Sequence, residues 1–321
     1  MARPWRIQFP NALYHVTARG NNRQAIYLNE GDRRDFLDLL RRAHERFRLQ
    51  ILAFCLMPNH YHLFVRTPKA NLAAALQWLN ATYTARFHRR HRRSGHLFQG
   101  RYKSVLVADE AHWLHLSMYL HLNPLRANLV EDPGDYEWSS CRDYTRAKSR
   151  FPWLEPEEIL TQYGSGEASR RRRYRDECLA LSGKRPEFWK NLRAGIVLGS
   201  RELVRDLARR YPPAGNPGAV PAFRSASRPP LDFEAERLRV AKAFGLRADA
   251  PRRKLDAPAR IAAYYHLVEH CGASTSRVAD WMGVGQPAVS KGIARFREQL
   301  QEDARLRAKM ETLAQMSYVK L

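Results

Sequence analysis

The 321-residue chain reads as an α+β protein, a ferredoxin-like antiparallel sheet with helices, followed by helical segments and a C-terminal helix-turn-helix. Three observations carry that reading. Segments of period two and of helical period follow one another in the order β-α-β-β-α-β up to residue 107. A stretch rich in Pro and Gly, 212–232, interrupts the second half as a linker. Near the end, two helical patterns flank the turn Gly283-Val284-Gly285.

Residues 12–19 form the first strand and stop at Gly20-Asn21-Asn22, a turn signal. Over 32–47, Phe36, Leu39, Leu40, Ala43 and Phe47 recur at helical spacing. Strands at 50–57 and 60–66 flank Pro58-Asn59 as a hairpin. A second helix, 72–90, places Leu72, Leu76, Leu79, Tyr83 and Phe87 on one stripe. A strand at 101–107 and a third helix at 110–126 complete the first domain, taken as 1–150. An extension, 151–211, is helical in composition from residue 167 onward, with Arg170 to Arg173 near its start and Ser200 and Glu202 as helix-start residues. It is expected to pack against the first domain. The last domain, 233–321, has helices at 260–270, 275–281 and 287–300.

Charge narrows the partner. Lys and Arg outnumber Asp and Glu 55 to 32, a surplus of +23 with a pI near 10.4. Such a surplus implies a polyanion, and nucleic acid is favoured. No run of about 18 apolar residues and no signal-peptide core occur, so a membrane is not expected and the location reads as cytoplasmic. Cys55, Cys141, Cys178 and Cys271 form no CxxC pair, which supports neither a zinc site nor a disulfide framework.

The most informative motif is His60-Tyr61-His62. Strand alternation puts both imidazoles on one face and Tyr61, Leu63 and Val65 on the other. Two histidines so placed share a divalent cation if a third group arrives from elsewhere, although histidines in half-buried strands are more often merely hydrogen-bonded. Tyr119 and Asn123, four apart in the third helix, share a face there. Tyr119 is either a core aromatic or a nucleophile; attack on phosphorus would leave a phosphotyrosine that stores the bond energy. A metal on His60, His62 and Asn123 would polarise the scissile phosphate. In the basic stretch 86–103, Arg89, Arg90, Arg92, Arg93, Arg101 and Lys103 suit phosphates, and Phe98 and Tyr102 suit stacking on unpaired bases, against the alternative of a solvated helix end. His88, His91 and His96 lie among arginines that disfavour a cation. In the last domain Gln286, Ser290, Lys291 and Arg295 could face the major groove of double-stranded DNA, unless the helices are only a packing module.

Three ordered segments, Tyr14 to Arg23, Met57-Pro58-Asn59-His60-Tyr61-His62-Leu63 and Tyr119 to Ala127, together resemble the Y1 transposase domain of the HUH superfamily, and within it the REP-associated tyrosine transposases. The resemblance implies a single-strand DNA endonuclease and strand transferase. It makes His60 and His62 metal ligands and Tyr119 the nucleophile that leaves a 5′-phosphotyrosine and a free 3′-hydroxyl. It also implies Mg²⁺ or Mn²⁺ as cofactor and single-stranded DNA hairpins as substrate. Asn123 stands where related transposases place a Gln ligand. Arg19 and Arg23, inside the first segment, join the DNA-binding set. The alternative is a DNA-binding regulator that keeps the fold without turnover. An RNA-binding protein fits the charge but explains neither the paired histidines nor Tyr119.

Overall fold

In the computed structural model, which describes residues 5–184, 186–213, 220, 222–223, 226, 231–245, 257–271 and 273–318, the first strand lies at the centre of a six-stranded sheet. Strand β1 (Ala12–Arg19) pairs antiparallel with β3 (His60–Thr67) on one side and β4 (Lys103–Val107) on the other. Strand β2 (Gln50–Met57) forms a hairpin with β3, so the order β2-β3-β1-β4 is the ferredoxin-like one. Gly20 ends β1 because a side chain there would lie 2.1 Å from the Gln24 carbonyl oxygen.

Each sheet face is covered by its own layer. Tyr14, Val16, Phe54, Tyr61, Leu63 and Val65 pack with helices α1 (Glu30–Phe47) and α2 (Leu72–His91). Helix α1 starts from a capping box between Asn29 and Asp32, and the fully buried Asp32 also accepts from Arg90 and His91 of α2 at 2.7 and 2.9 Å. Leu13, Cys55, Met57 and Phe64 face the other way, toward α3 (Trp113–His121) and the extension. His60 and His62 share this second face by strand parity, as the alternation predicts.

The third helix is not continuous over 110–126. A 3-10 turn at Glu110–His112 precedes α3, which stops at Leu122; a four-residue helix α4 (Asn123–Arg126) follows. Pro124 has no N–H to donate to the Leu120 carbonyl, so the ladder fails there. Helix α5 (Cys141–Thr145) follows, and the extension carries α6 (Glu157–Leu160), α7 (Glu167–Ala180) and α8 (Arg201–Arg210), the last capped by Ser200. It also carries two strands absent from the expected pattern, β5 (Leu192–Arg193) and β6 (Val197–Leu198). Strand β6 adds parallel to β4 and extends the sheet. Arg171 of the arginine run is buried and ion-paired with Glu157 at 2.5 Å and Glu167 at 3.1 Å.

A buried polar chain fastens α3 to its surroundings. The Tyr174 hydroxyl of α7 donates to Ser117 (3.0 Å) and lies 2.7 Å from His121 Nδ1. His121 Nε2 lies 2.8 Å from the Ser140 hydroxyl, whose oxygen accepts the Phe54 N–H of β2 at 2.9 Å. A neutral His121 donating through Nδ1 and accepting at Nε2 satisfies every link.

The chain divides into two units, 1–227 and 228–321. Most of the 212–232 linker lies outside the described residues. The second unit consists of α9 (Phe233–Ala243), α10 (Ala257–Tyr265), α11 (Thr275–Met282), α12 (Gln286–Glu302) and α13 (Ala304–Tyr318). The segment 266–270, expected to continue α10, is a π turn. Ser274 caps α11, and Gly283 ends it with φ +68°. Val278, Met282, Val289 and Ile293 bury the facing sides of α11 and α12.

Burial pushes His121 down to about 3, far below an exposed imidazole near ~6.5. Between these values the unfolded chain binds a proton that the folded one does not, so stability present above pH 6.5 is lost as pH falls toward 3. The slope from this group is about 1.4 kcal/mol per pH unit. Urea titrations from pH 7.5 to 4 should show a decline to which His121 contributes, and His121→Asn should make it shallower by about one proton's worth; an unchanged slope in the variant contradicts the assignment.

Candidate active site and nucleic-acid interface

His60 and His62 stand on β3 opposite Arg19 and Thr17 of β1, and their rings lie 4.9 Å apart. Asn59, in the hairpin turn, orients the first. Its amide donates to the Arg23 carbonyl at 3.0 Å, and its Oδ1 lies 2.7 Å from His60 Nδ1. The carbonyl only accepts, which fixes the amide's orientation and makes Oδ1 the acceptor. His60 Nδ1 therefore carries the proton, leaving Nε2 with a bare lone pair. His15 of β1 contacts the second histidine: His15 Nε2 and His62 Nδ1 are 2.9 Å apart, with rings coplanar to 1°. His62 Nε2 is buried and has no hydrogen-bond partner among the described residues. Burial, then the Arg19 charge, lowers His60 to about 4. Burial lowers His15 to about 3 and His62 well below the usual range, with His15, His60 and Arg19 adding to the latter. Neutral imidazoles with unshared nitrogen lone pairs are the form that binds a metal.

Tyr119 projects from α3 toward this pair. Its ring stands edge-on to His62 at 5.9 Å and to His15 at 6.1 Å. Phe188 and Trp189 of the extension pack on it at 5.9 and 5.4 Å, and the Arg126 guanidinium lies over the ring at 5.5 Å. Burial raises the phenol above its ordinary range, while Arg126 and then Arg19 pull it back down. Asn123 sits at the broken end of α3, where its Nδ2 donates to the carbonyls of Tyr119 (2.8 Å) and Leu120 (3.3 Å). Oδ1 is thus the atom Asn123 can offer to another group.

The expected DNA-binding residues separate into groups. Arg19, Arg101 and Lys103 line one groove of about 390 Å³ with His60 and His62. Arg23, Arg92 and Arg93 are exposed outside that lining, with Arg93 bonded to Gln24 at 3.2 Å. Arg89 and Arg90 line a different cavity, and Arg90 is engaged by buried Asp32. Of the two aromatics expected to stack on bases, Tyr102 is not available. Tyr102 is buried beneath the Arg6 guanidinium, 4.2 Å from its ring centre. Phe98 packs against Tyr61 and Tyr83 of the core. An aromatic ring in a basic loop can be claimed by the nearest core, as Tyr102 is, whereas Phe98 is half-buried. Gln286, Ser290, Lys291 and Arg295 are exposed on α12.

Several site residues escaped the sequence reading. His15 and Arg126 lie inside the recognised segments, but only the pairing of β1 with β3 and the end of α3 reveal their neighbours. Phe188 and Trp189 had no signal beyond being aromatic. In the second unit Glu236, His266 and Cys271 bring ligand atoms within 4.8 Å of one another, with His266 Nε2 paired to Glu236 at 2.9 Å. Among the described residues, no helix is long and apolar enough to cross a membrane.

Residues 8–123 match the family described as transposase, IS200-like. A Haemophilus influenzae protein named as a REP-associated tyrosine transposase is 25% identical over 152 residues, covering 42% of this chain and 83% of that protein. A solved structure of a REP-associated tyrosine transposase bound to a REP hairpin covers 48% of this chain and 98% of its own, at 16% identity and a TM-score of 0.39. The family match and the curated relative agree with the resemblance read from the three sequence segments.

Arg126→Gln should raise the pKa of Tyr119 further, since it removes the stronger of the two cationic influences that favour the phenolate. Ultraviolet pH titration, with the Tyr119→Phe protein subtracted, measures this; a downward shift contradicts the assigned electrostatics.

Proposed function

We propose, for a chain whose residues 8–123 match the IS200-like transposase family, that this protein is a metal-dependent endonuclease and strand transferase acting on single-stranded DNA hairpins. The observation that carries the reading is the orphaned, buried His62 Nε2 beside the bare Nε2 of His60, with Tyr119 edge-on to the pair. His60 and His62 would hold Mg²⁺ or Mn²⁺, with Asn123 Oδ1 as the third donor the cation would draw on. A divalent cation bound there supplies Lewis-acid polarisation of the scissile phosphate and offsets its charge.

The protein's own groups do the rest. Arg19, Arg101 and Lys103 draw the phosphate backbone into the histidine groove. Tyr119 Oη attacks phosphorus and loses its proton. The P–O3′ bond breaks, and the leaving oxygen takes up a proton as a 3′-hydroxyl. The 5′-phosphotyrosine keeps the bond available for joining to another 3′-hydroxyl. His15 accepts from His62 Nδ1–H, which leaves the Nε2 lone pair for the cation; placing the proton on Nε2 would strand a buried donor instead. In the second unit α11 and α12 form a helix-turn-helix, and Gln286, Ser290, Lys291 and Arg295 add affinity for double-stranded DNA.

Incubating the protein with Mn²⁺ and labelled hairpins from the repeats flanking its gene, then running a denaturing gel, tests the reading. A covalent band should form that vanishes with Tyr119→Phe while binding persists; binding without any band in the unaltered protein would make it a regulator. His15→Phe should weaken Mn²⁺ binding by roughly 10- to 100-fold in calorimetry, the usual effect of losing a partner that orients a metal-binding histidine. Unchanged affinity would remove His15 from the site.

A further inference from the structure

A second cavity, sharing no lining residue with the histidine groove, opens against Tyr119. Its volume is about 690 Å³, within the range of small-molecule sites. Leu122, Leu181 and Phe188 give it an apolar wall, and Arg126 and Lys184 give it positive charge. The carboxylate on its border, Glu187, is paired with Lys190 at 2.7 Å.

Arg126 is the second and independent pointer. Its Nη1 is buried with no hydrogen-bond acceptor among the described residues, while Nη2 makes only a long 3.4 Å contact to the Lys184 carbonyl. A buried donor left unmatched is costly, and an anionic oxygen in this pocket would match it. Next to a tyrosine that attacks DNA, that oxygen belongs to a phosphate. The flat ring of Phe188, packed edge-on to Tyr119, offers the adjoining base a π surface.

We propose that this cavity is a subsite for one unpaired nucleotide flanking the scissile phosphate, its base against Phe188 and its phosphate on Arg126. The placement rests on Tyr119 being the nucleophile. It makes the extension, through Phe188, part of the substrate-binding surface. Because any base has a π face, the subsite selects for an unstacked nucleotide rather than for a sequence.

The test is a cycle between Phe188→Ala and single abasic positions scanned through the unpaired flanks of the hairpin, read as equilibrium binding. One abasic position should weaken binding by the unaltered protein roughly 5- to 150-fold, the range of a lost base stack. Phe188→Ala should lose about the same factor on the intact strand and nothing further on that abasic strand. Losses that multiply at every position overturn the subsite. A second measurement needs no variant: 5-iodouracil at the sensitive position, irradiated with the unaltered protein, should crosslink to Phe188 or Trp189, and a crosslink mapping elsewhere overturns it too. If no phosphotyrosine forms on any strand but the cycle and crosslink behave as expected, the nicking reading fails and the nucleotide subsite stands.

Discussion

The hydrogen-bonded run from Phe54 through Ser140, His121 and Tyr174 to Ser117 is the constraint on which the site depends. The paired histidines belong to the sheet, whereas Tyr119 belongs to a nine-residue helix that ends beside a proline. Nothing in so short a helix fixes its height or rotation over the sheet. The polar run ties its middle, at Ser117, and its last residue, at His121, to α7 and β2, and Tyr119 is the central residue of the turn between those anchors. Because every member is buried, a partial slip would leave donors and acceptors unmatched in a medium where each is expensive. The run thus converts hydrogen bonding into positional accuracy at the phenol.

Much of the fold was legible because it rests on periodicity. The alternation in 12–19 and 60–66 and the stripes of α1 and α2 are set by which side chains face a core, and composition reports that directly. The break at Leu122 was also written in the chain, as Pro124, but the strong apolar pattern across it concealed the stop. Strands β5 and β6 could not have been read, since two residues carry no period.

For the site, the family resemblance carried by the three segments, rather than spacing alone, pointed to His60, His62 and Tyr119, and the structure places the three rings beside one another. What stayed hidden were groups whose meaning lies in a partner. Asn59 matters because the Arg23 carbonyl dictates which way its amide turns. His15 matters because β1 lies beside β3 in a register that puts its ring within reach of His62. The converse error concerned Tyr102, whose basic neighbours suggested a nucleic-acid platform while its ring is buried in the core. Charge in a sequence marks a surface; it does not say which way an adjacent ring turns.

The parallel pairing of β6 with β4 carries a consequence for how this molecule can be cut. Without the extension, the outer edge of β4 would be a bare row of backbone donors and acceptors, the template on which strands from other copies add. The N–H groups of Leu106 and Ala108 are instead matched to the carbonyls of Ile196 and Leu198, at 2.7 and 3.1 Å. The same removal would strip Ile159, Leu160, Tyr174 and Cys178 from the core on the sheet's second face. A fragment trimmed at the end of the recognised transposase motif would therefore be sticky and poorly folded. The smallest piece that keeps its own edge closed must run past residue 198.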